Sequence, residues 1–163
     1  MLTLSPAALQ GAEPHVGQPN APPGWTNEIE WSGPGAWEWL RTFDDGAEVW
    51  LFTRQNAHHS GSELSAWRRI EFRDPQPAAM VSPQWTGTYL SLVEEVDVNC
   101  ANPSERLRAA SGFRRRNMTD PIQPPLVFDP GQSSWQPVIP GTRLAVFATQ
   151  ICAVFAVHHM QPL

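Results

Sequence analysis

The sequence predicts an α+β domain with roughly five or six antiparallel strands and one C-terminal helix packed on one face of the sheet. Three observations lead there. Between Trp37 and Phe113 apolar residues recur at every second position in short runs, the period of half-buried strands. Those runs are punctuated by Asp-Gly, Asn-Pro and proline-rich segments, which end strands and turn the chain. After Thr142 the period changes to that of a helix with one apolar stripe.

Composition fits a turn-rich single domain. Of 163 residues, 41% are hydrophobic and 17% charged, with 17 prolines, 11 glycines and 8 tryptophans. The net charge of -5 gives no basic field to draw the chain to nucleic acid or anionic lipid, so nucleic-acid binding is disfavoured. No apolar run approaches the ~20 residues of a membrane-spanning helix, and no transmembrane segment is expected. The opening "MLTLSPAALQGAEP" lacks the basic start and sustained apolar stretch of a complete signal peptide.

Residues 1–36 carry six prolines and scattered glycines without periodicity, which predicts an extended N-terminal arm ahead of a domain at 37–163. Trp25 and Trp31 within the arm are costly to leave in water, so they dock either on their own domain or on a partner. "WEWLRTF" and "AEVWLF" read as two strands joined at Asp45-Gly46, the second ending near Thr53 with "RQNAHHSGS" as a polar turn. In "ELSAWRRIEF", Leu64, Ala66, Ile70 and Phe72 share one face, and Trp67, Arg69 and Glu71 the other. "RDPQPAAMVSPQWTG" is a proline-rich loop.

"TYLSLVEEVDVNC" is the cleanest strand: Leu90, Leu92, Val96, Val98 and Cys100 point one way, interrupted only by Glu94. "ANPSE" turns the chain, and "RLRAASGF" returns antiparallel, with Leu107, Ala109, Ser111 and Phe113 opposing Arg106, Arg108 and Ala110. A long proline-rich excursion follows, with a short strand at "PLVF". Thr142 then caps a helix whose stripe is Leu144, Phe147, Ala148, Ile151, Cys152 and Phe155.

Both cysteines thus face the expected core. A disulfide would staple helix to sheet and contribute roughly 4 kcal/mol by restricting the unfolded chain. Two unpaired buried thiols in a reducing compartment fit the same pattern. Neither sits in a Cys-X-X-Cys motif, which argues against redox chemistry.

The succession "WEWLRTFDDGAEVWL", "WRRIEF", "YLSLVEEVDVNC", "RLRAASGF", "WQPVIPGT" and "QIC" resembles the bacterial surface-adhesin protein E family over about residues 37–153. The most specific parts are the Val-Asp-x-x-Cys strand end, the Trp-x-Pro-x-x-Pro-Gly-Thr approach to the helix, and the late cysteine. The resemblance implies a small antiparallel sheet with its C-terminal helix tied on by a Cys100–Cys152 disulfide. It also implies an exported envelope protein, periplasmic or on the outer surface of a Gram-negative bacterium, that binds external proteins.

No nucleophile elbow, phosphate loop or dinucleotide fingerprint is present, and neither enzymatic activity nor a cofactor is expected. Asp44-Asp45 reads as turn chemistry before calcium ligation. His58-His59 and His158-His159 would each offer one metal ligand at best, because neighbours on a strand point to opposite faces. No metal site is expected. Arg114, Arg115 and Arg116 form the one dense positive feature, at a strand end or loop tip where an acidic protein or polyanion would bind. The expected partner is therefore a protein, either an external ligand or a neighbouring subunit of an envelope assembly, met through Arg114–Arg116, Trp25 and Trp31.

Overall fold

The computed structural model describes residues 25–30 and 37–159. The β-strands are β1 (Glu38–Phe43), β2 (Glu48–Ser60), β3 (Glu63–Pro77), β4 (Thr88–Asn99), β5 (Ser104–Arg115), β6 (Thr119–Pro121), β7 (Leu126–Val127) and β8 (Gln136–Pro137), and α1 is Arg143–His159. They form one antiparallel eight-stranded sheet in the order β1-β2-β3-β4-β5-β6, with β7 and β8 also paired to β5. The sheet dominates, so the balance is further toward β than the α+β expectation. The two additional strands come from the excursion after β5, whose short pieces line the β5 edge.

Alternation along the long strands divides the sheet into two faces. Trp50, Phe52, Leu64, Ala66, Ile70, Leu92, Val96 and Val98 point toward α1 and form the main core with Phe147, Ala148 and Ile151. Trp39, Val49 and Leu51 point the other way, where Ile29 of the arm packs on them. Trp50 is therefore a core residue.

Several expectations are corrected by the geometry. β2 continues to Ser60, because the polar run after Thr53 still pairs with β3 across an irregularity between Thr53 and His58. An extra residue at Arg108 shifts the β4–β5 register between Glu95 and Val96. The bulge turns Ala110, not Ala109, into the α1-side core beside Leu107. Leu90 stays half-buried outside that core, and Leu144 is exposed at the edge of the helix stripe.

Thr142 caps α1 as expected, its Oγ1 accepting from the Ala145 N–H at 3.2 Å. The Cys100–Cys152 disulfide is present, with a Cα–Cα distance of 5.8 Å. Cys100 does not lie in the strand core. It follows β4 in an exposed turn, its N–H donating to the Ser62 carbonyl, and the bond reaches down to the half-buried Cys152.

Trp85, in the loop after β3, is fully buried and donates its indole N–H to the Pro124 carbonyl at 2.8 Å. Its ring lies against the backbone of β5: a Cβ built on Gly112 would come within 2.7 Å of Trp85 Cζ3. Gly112→Ala is expected to lower stability by about 1–3 kcal/mol through overpacking, measured as a fall in the urea midpoint at unchanged slope.

Candidate functional site

The face of the sheet away from α1 carries a buried ion pair that would cost free energy unless its remaining hydrogen-bonding groups were matched. Arg69 and Glu71 project from β3 on that face and are almost wholly inaccessible, with Arg69 Nε 2.6 Å from Glu71 Oε1. Glu71 also accepts from Ser91 Oγ of β4 at 2.9 Å and from the Asn117 N–H at 3.1 Å. Burial pushes the Glu71 carboxyl above its ordinary value, opposed by Arg69, Ser91 and the Asn117 N–H.

That network presents a clamp. Asn117 sits between β5 and β6 with a left-handed backbone at φ 61°, a conformation asparagine tolerates better than most residues. Its Oδ1 accepts from the Glu30 N–H at 2.8 Å, and its Nδ2 donates to the Glu28 carbonyl at 2.7 Å. Arg69 completes the grip, donating from one terminal nitrogen to the Glu30 carbonyl and from the other to Asn117 Oδ1, both at 2.8 Å. All three contacts to the arm are to main-chain atoms, so this part of the grip is indifferent to the side chains at 28 and 30.

Side chains supply the rest. Ile29, between the two gripped residues, is buried against Trp39, Val49 and Leu51. Trp25 begins a short 3-10 turn, Trp25–Glu28, and donates its indole N–H to the Gly46 carbonyl at 2.7 Å. The Arg116 guanidinium lies 5.1 Å from the centre of the Trp25 ring, pairs with Glu28 at 2.9 Å and donates to the Arg73 carbonyl at 2.7 Å.

Two of the residues expected to meet a partner, Trp25 and Arg116, are thus brought together, and what they meet is each other. Arg114 is turned to the Thr86 carbonyl at 2.9 Å. Arg115, between them, is exposed. Trp31 lies outside the described residues. His58 and His59 are on β2, with the His59 ring 6.2 Å from that of Phe155. His158 and His159 end α1, and their side chains lie outside the described residues. No cluster of three or more metal-ligating side chains occurs among the described residues. Asp44 occupies the β1–β2 turn with a positive φ of 51° and pairs with Arg143.

Sequence reasoning missed Asn117 and the role of Arg69 and Glu71. The available signal was the arginine and glutamate on the polar face of a central strand, where neither would be expected to stay buried without partners.

A second polar cluster lies on the same face. Asp97 accepts from Ser65 Oγ at 2.6 Å, from Arg106 at 2.7 Å and from Arg108 at 3.1 Å, and Arg106 stacks 4.7 Å over the Trp135 ring. Burial favours protonation of Asp97, but the bonds from Ser65, Arg106 and Arg108 outweigh it and hold the carboxyl below its ordinary value.

No family model matches the sequence, and no curated protein matches it. Among solved structures, that of Haemophilus influenzae protein E superposes with a TM-score of 0.50 at 11% identity, over 79% of this chain and 96% of that one. Crystal form II of the same Haemophilus influenzae protein gives 0.51 at 12% identity, over 78% and 98%. The resemblance read from the sequence is thus matched by a shared fold: an antiparallel sheet with a C-terminal helix. No helix among the described residues is long and apolar enough to cross a membrane.

Because the folded Asp97 carboxyl binds its proton less readily than the unfolded one, its contribution is present above the unfolded value, ~3.9, and is lost as pH falls through and below it. Asp97→Asn is expected to lower unfolding free energy at pH 7. The difference from wild type should shrink progressively below about pH 4, as followed by urea titrations across pH.

Proposed function

We propose that the protein is a non-catalytic, adhesin-like protein-binding domain of the bacterial cell envelope. The observation that carries this reading is the arm face itself: a surface already engaged with a polypeptide segment through its main chain, bordered by an exposed guanidinium at Arg115. The shared fold with protein E favours the same reading. So does the disulfide, since such bonds persist in oxidising compartments, which supports an exported protein, periplasmic or at the outer surface.

Within the arginine run, recognition falls to Arg115. Arg114 and Arg116 are spent on holding the loop after β3 and the arm, which leaves Arg115 to offer a charge-assisted, bidentate contact to a partner carboxylate. A second reading is an accessory or structural subunit of an envelope or extracellular assembly, with the N-terminal arm docked on a neighbour. It is favoured by the main-chain character of the clamp, which would hold an identical segment from another chain equally well.

The adhesin reading is tested by surface plasmon resonance of the immobilised full chain against purified extracellular-matrix and serum proteins. Binding is expected, with Arg115→Ser weakening it about tenfold, the equivalent of ~1.4 kcal/mol. Equal affinity of wild type and Arg115→Ser removes this residue from the interface. No binding above that of an unrelated disulfide-bonded control contradicts the adhesin reading.

A further inference from the structure

Residues 25–30 are held as a ligand is held. Three hydrogen bonds from two side chains reach only backbone atoms, one aliphatic side chain enters a pocket of Trp39, Val49 and Leu51, and one indole lies under a guanidinium. Arg69 and Asn117 are oriented by Glu71, which in turn is fixed by Ser91 of β4, a residue that does not touch the arm. The receptor half of the contact therefore belongs to the sheet, and without an arm the Arg69 and Asn117 groups that bond Glu28 and Glu30 would be left to water.

The ligand half is joined to the sheet by "WSGPGA", residues 31–36, with two glycines and a proline. Fully extended, such a link reaches ~20 Å, and it leads into β1, which among the described residues pairs on one side only, with β2. The described chain resumes at an edge strand, where a second molecule can approach. A short tether keeps the local concentration of its own arm in the ~mM range, so the intramolecular contact prevails in an isolated chain. Where identical chains are concentrated at a surface, a neighbour's arm competes with it at a comparable local concentration.

We propose that the Arg69–Asn117 clamp is an arm-exchange site, filled in the lone chain by its own residues 25–30 and, in a two-chain assembly, by the same segment of a second copy. This rests on the subunit reading above. In the exchanged pair each molecule donates one Ile29 and receives one, at the same clamp and with the same main-chain bonds, so exchange gains no new contact and loses none. The balance between closed monomer and exchanged dimer is set by the link and by concentration.

Two full-chain variants separate donor from acceptor. Ile29→Asp places a carboxylate where an aliphatic side chain is buried, so its arm leaves and its clamp is vacant. Asn117→Gly tolerates the left-handed backbone but removes the amide, so its clamp fails while its arm is intact. Sedimentation velocity of each alone is expected to give monomer, and the equimolar mixture a species of twice the mass. Retention of near-UV circular dichroism and of the disulfide in both variants establishes that the sheet is folded.

A mixture that stays monomeric overturns arm exchange, as does a dimer formed by either variant alone. A synthetic peptide of residues 21–36, titrated into Ile29→Asp, makes the same test without Asn117→Gly. Saturable binding that falls at least tenfold when the peptide itself carries Ile29→Asp supports the site, and equal or absent binding overturns it. Neither failure bears on the Arg115 measurement, which reads a different residue and a different partner.

Discussion

A guanidinium withdrawn from water keeps its charge and must find anions within reach. Strand β3, at the centre of the sheet, carries two of them in succession. Arg68 and Arg69 are both buried, and as neighbours on a strand they face opposite sides. On the α1 side, Arg68 meets Glu94 of β4 at 2.5 Å and Glu105 of β5 at 2.7 Å, with the rings of Trp50 and Phe147 over it at 5.3 and 5.2 Å. Burial alone would disfavour its charge, but the two carboxylates overcome that and leave it more firmly protonated than a free arginine. On the other side, Arg69 and Glu71 do the corresponding work for the arm. Each face is organised around one cation: Arg68 draws its carboxylates from β4 and β5, while Arg69 pairs with Glu71 of its own strand, which Ser91 of β4 fixes, so strand register and surface chemistry depend on each other.

This arrangement gives the two faces different uses. The α1 face is closed by apolar packing, by Trp50 and Phe147, and by the covalent link from the β4 end to Cys152. Tyr89, in that core, has its hydroxyl pushed up to about 12 by burial and by Glu94 and Glu48, so it stays neutral under ordinary conditions. The arm face is closed by a segment held through reversible hydrogen bonds, one aliphatic anchor and one stacked indole. The proposed recognition surface is the face whose cover is non-covalent, next to the exposed Arg115.

Much of the frame was legible in the sequence. Alternation identified the core positions Leu64, Ala66, Ile70 and Phe72 of β3 and Leu92, Val96 and Val98 of β4, and the change of period located α1 and its Thr142 cap. The break in alternation at Glu94 was visible as well. Its partnership with Arg68 was not, because it needs the β3–β4 register that sets the two directly opposite each other. Asn117 was hidden for a different reason. Its role comes from a left-handed backbone in a tight turn, a conformation that Arg-Arg-Arg-Asn-Met does not announce. The bulge at Arg108 likewise left no mark, since the residues on both sides alternate normally.

The central claim is that Glu71, through Arg69 and Asn117, holds the arm on the sheet. Amide hydrogen exchange at Glu30, compared between wild type and Glu71→Gln, tests it most directly, because that N–H donates to Asn117 and to no strand. The account predicts a protected Glu30 amide in wild type that exchanges at least tenfold faster in Glu71→Gln, while strand amides such as those of Leu51 and Val96 keep most of their protection. Equal protection of Glu30 in the two proteins would contradict it.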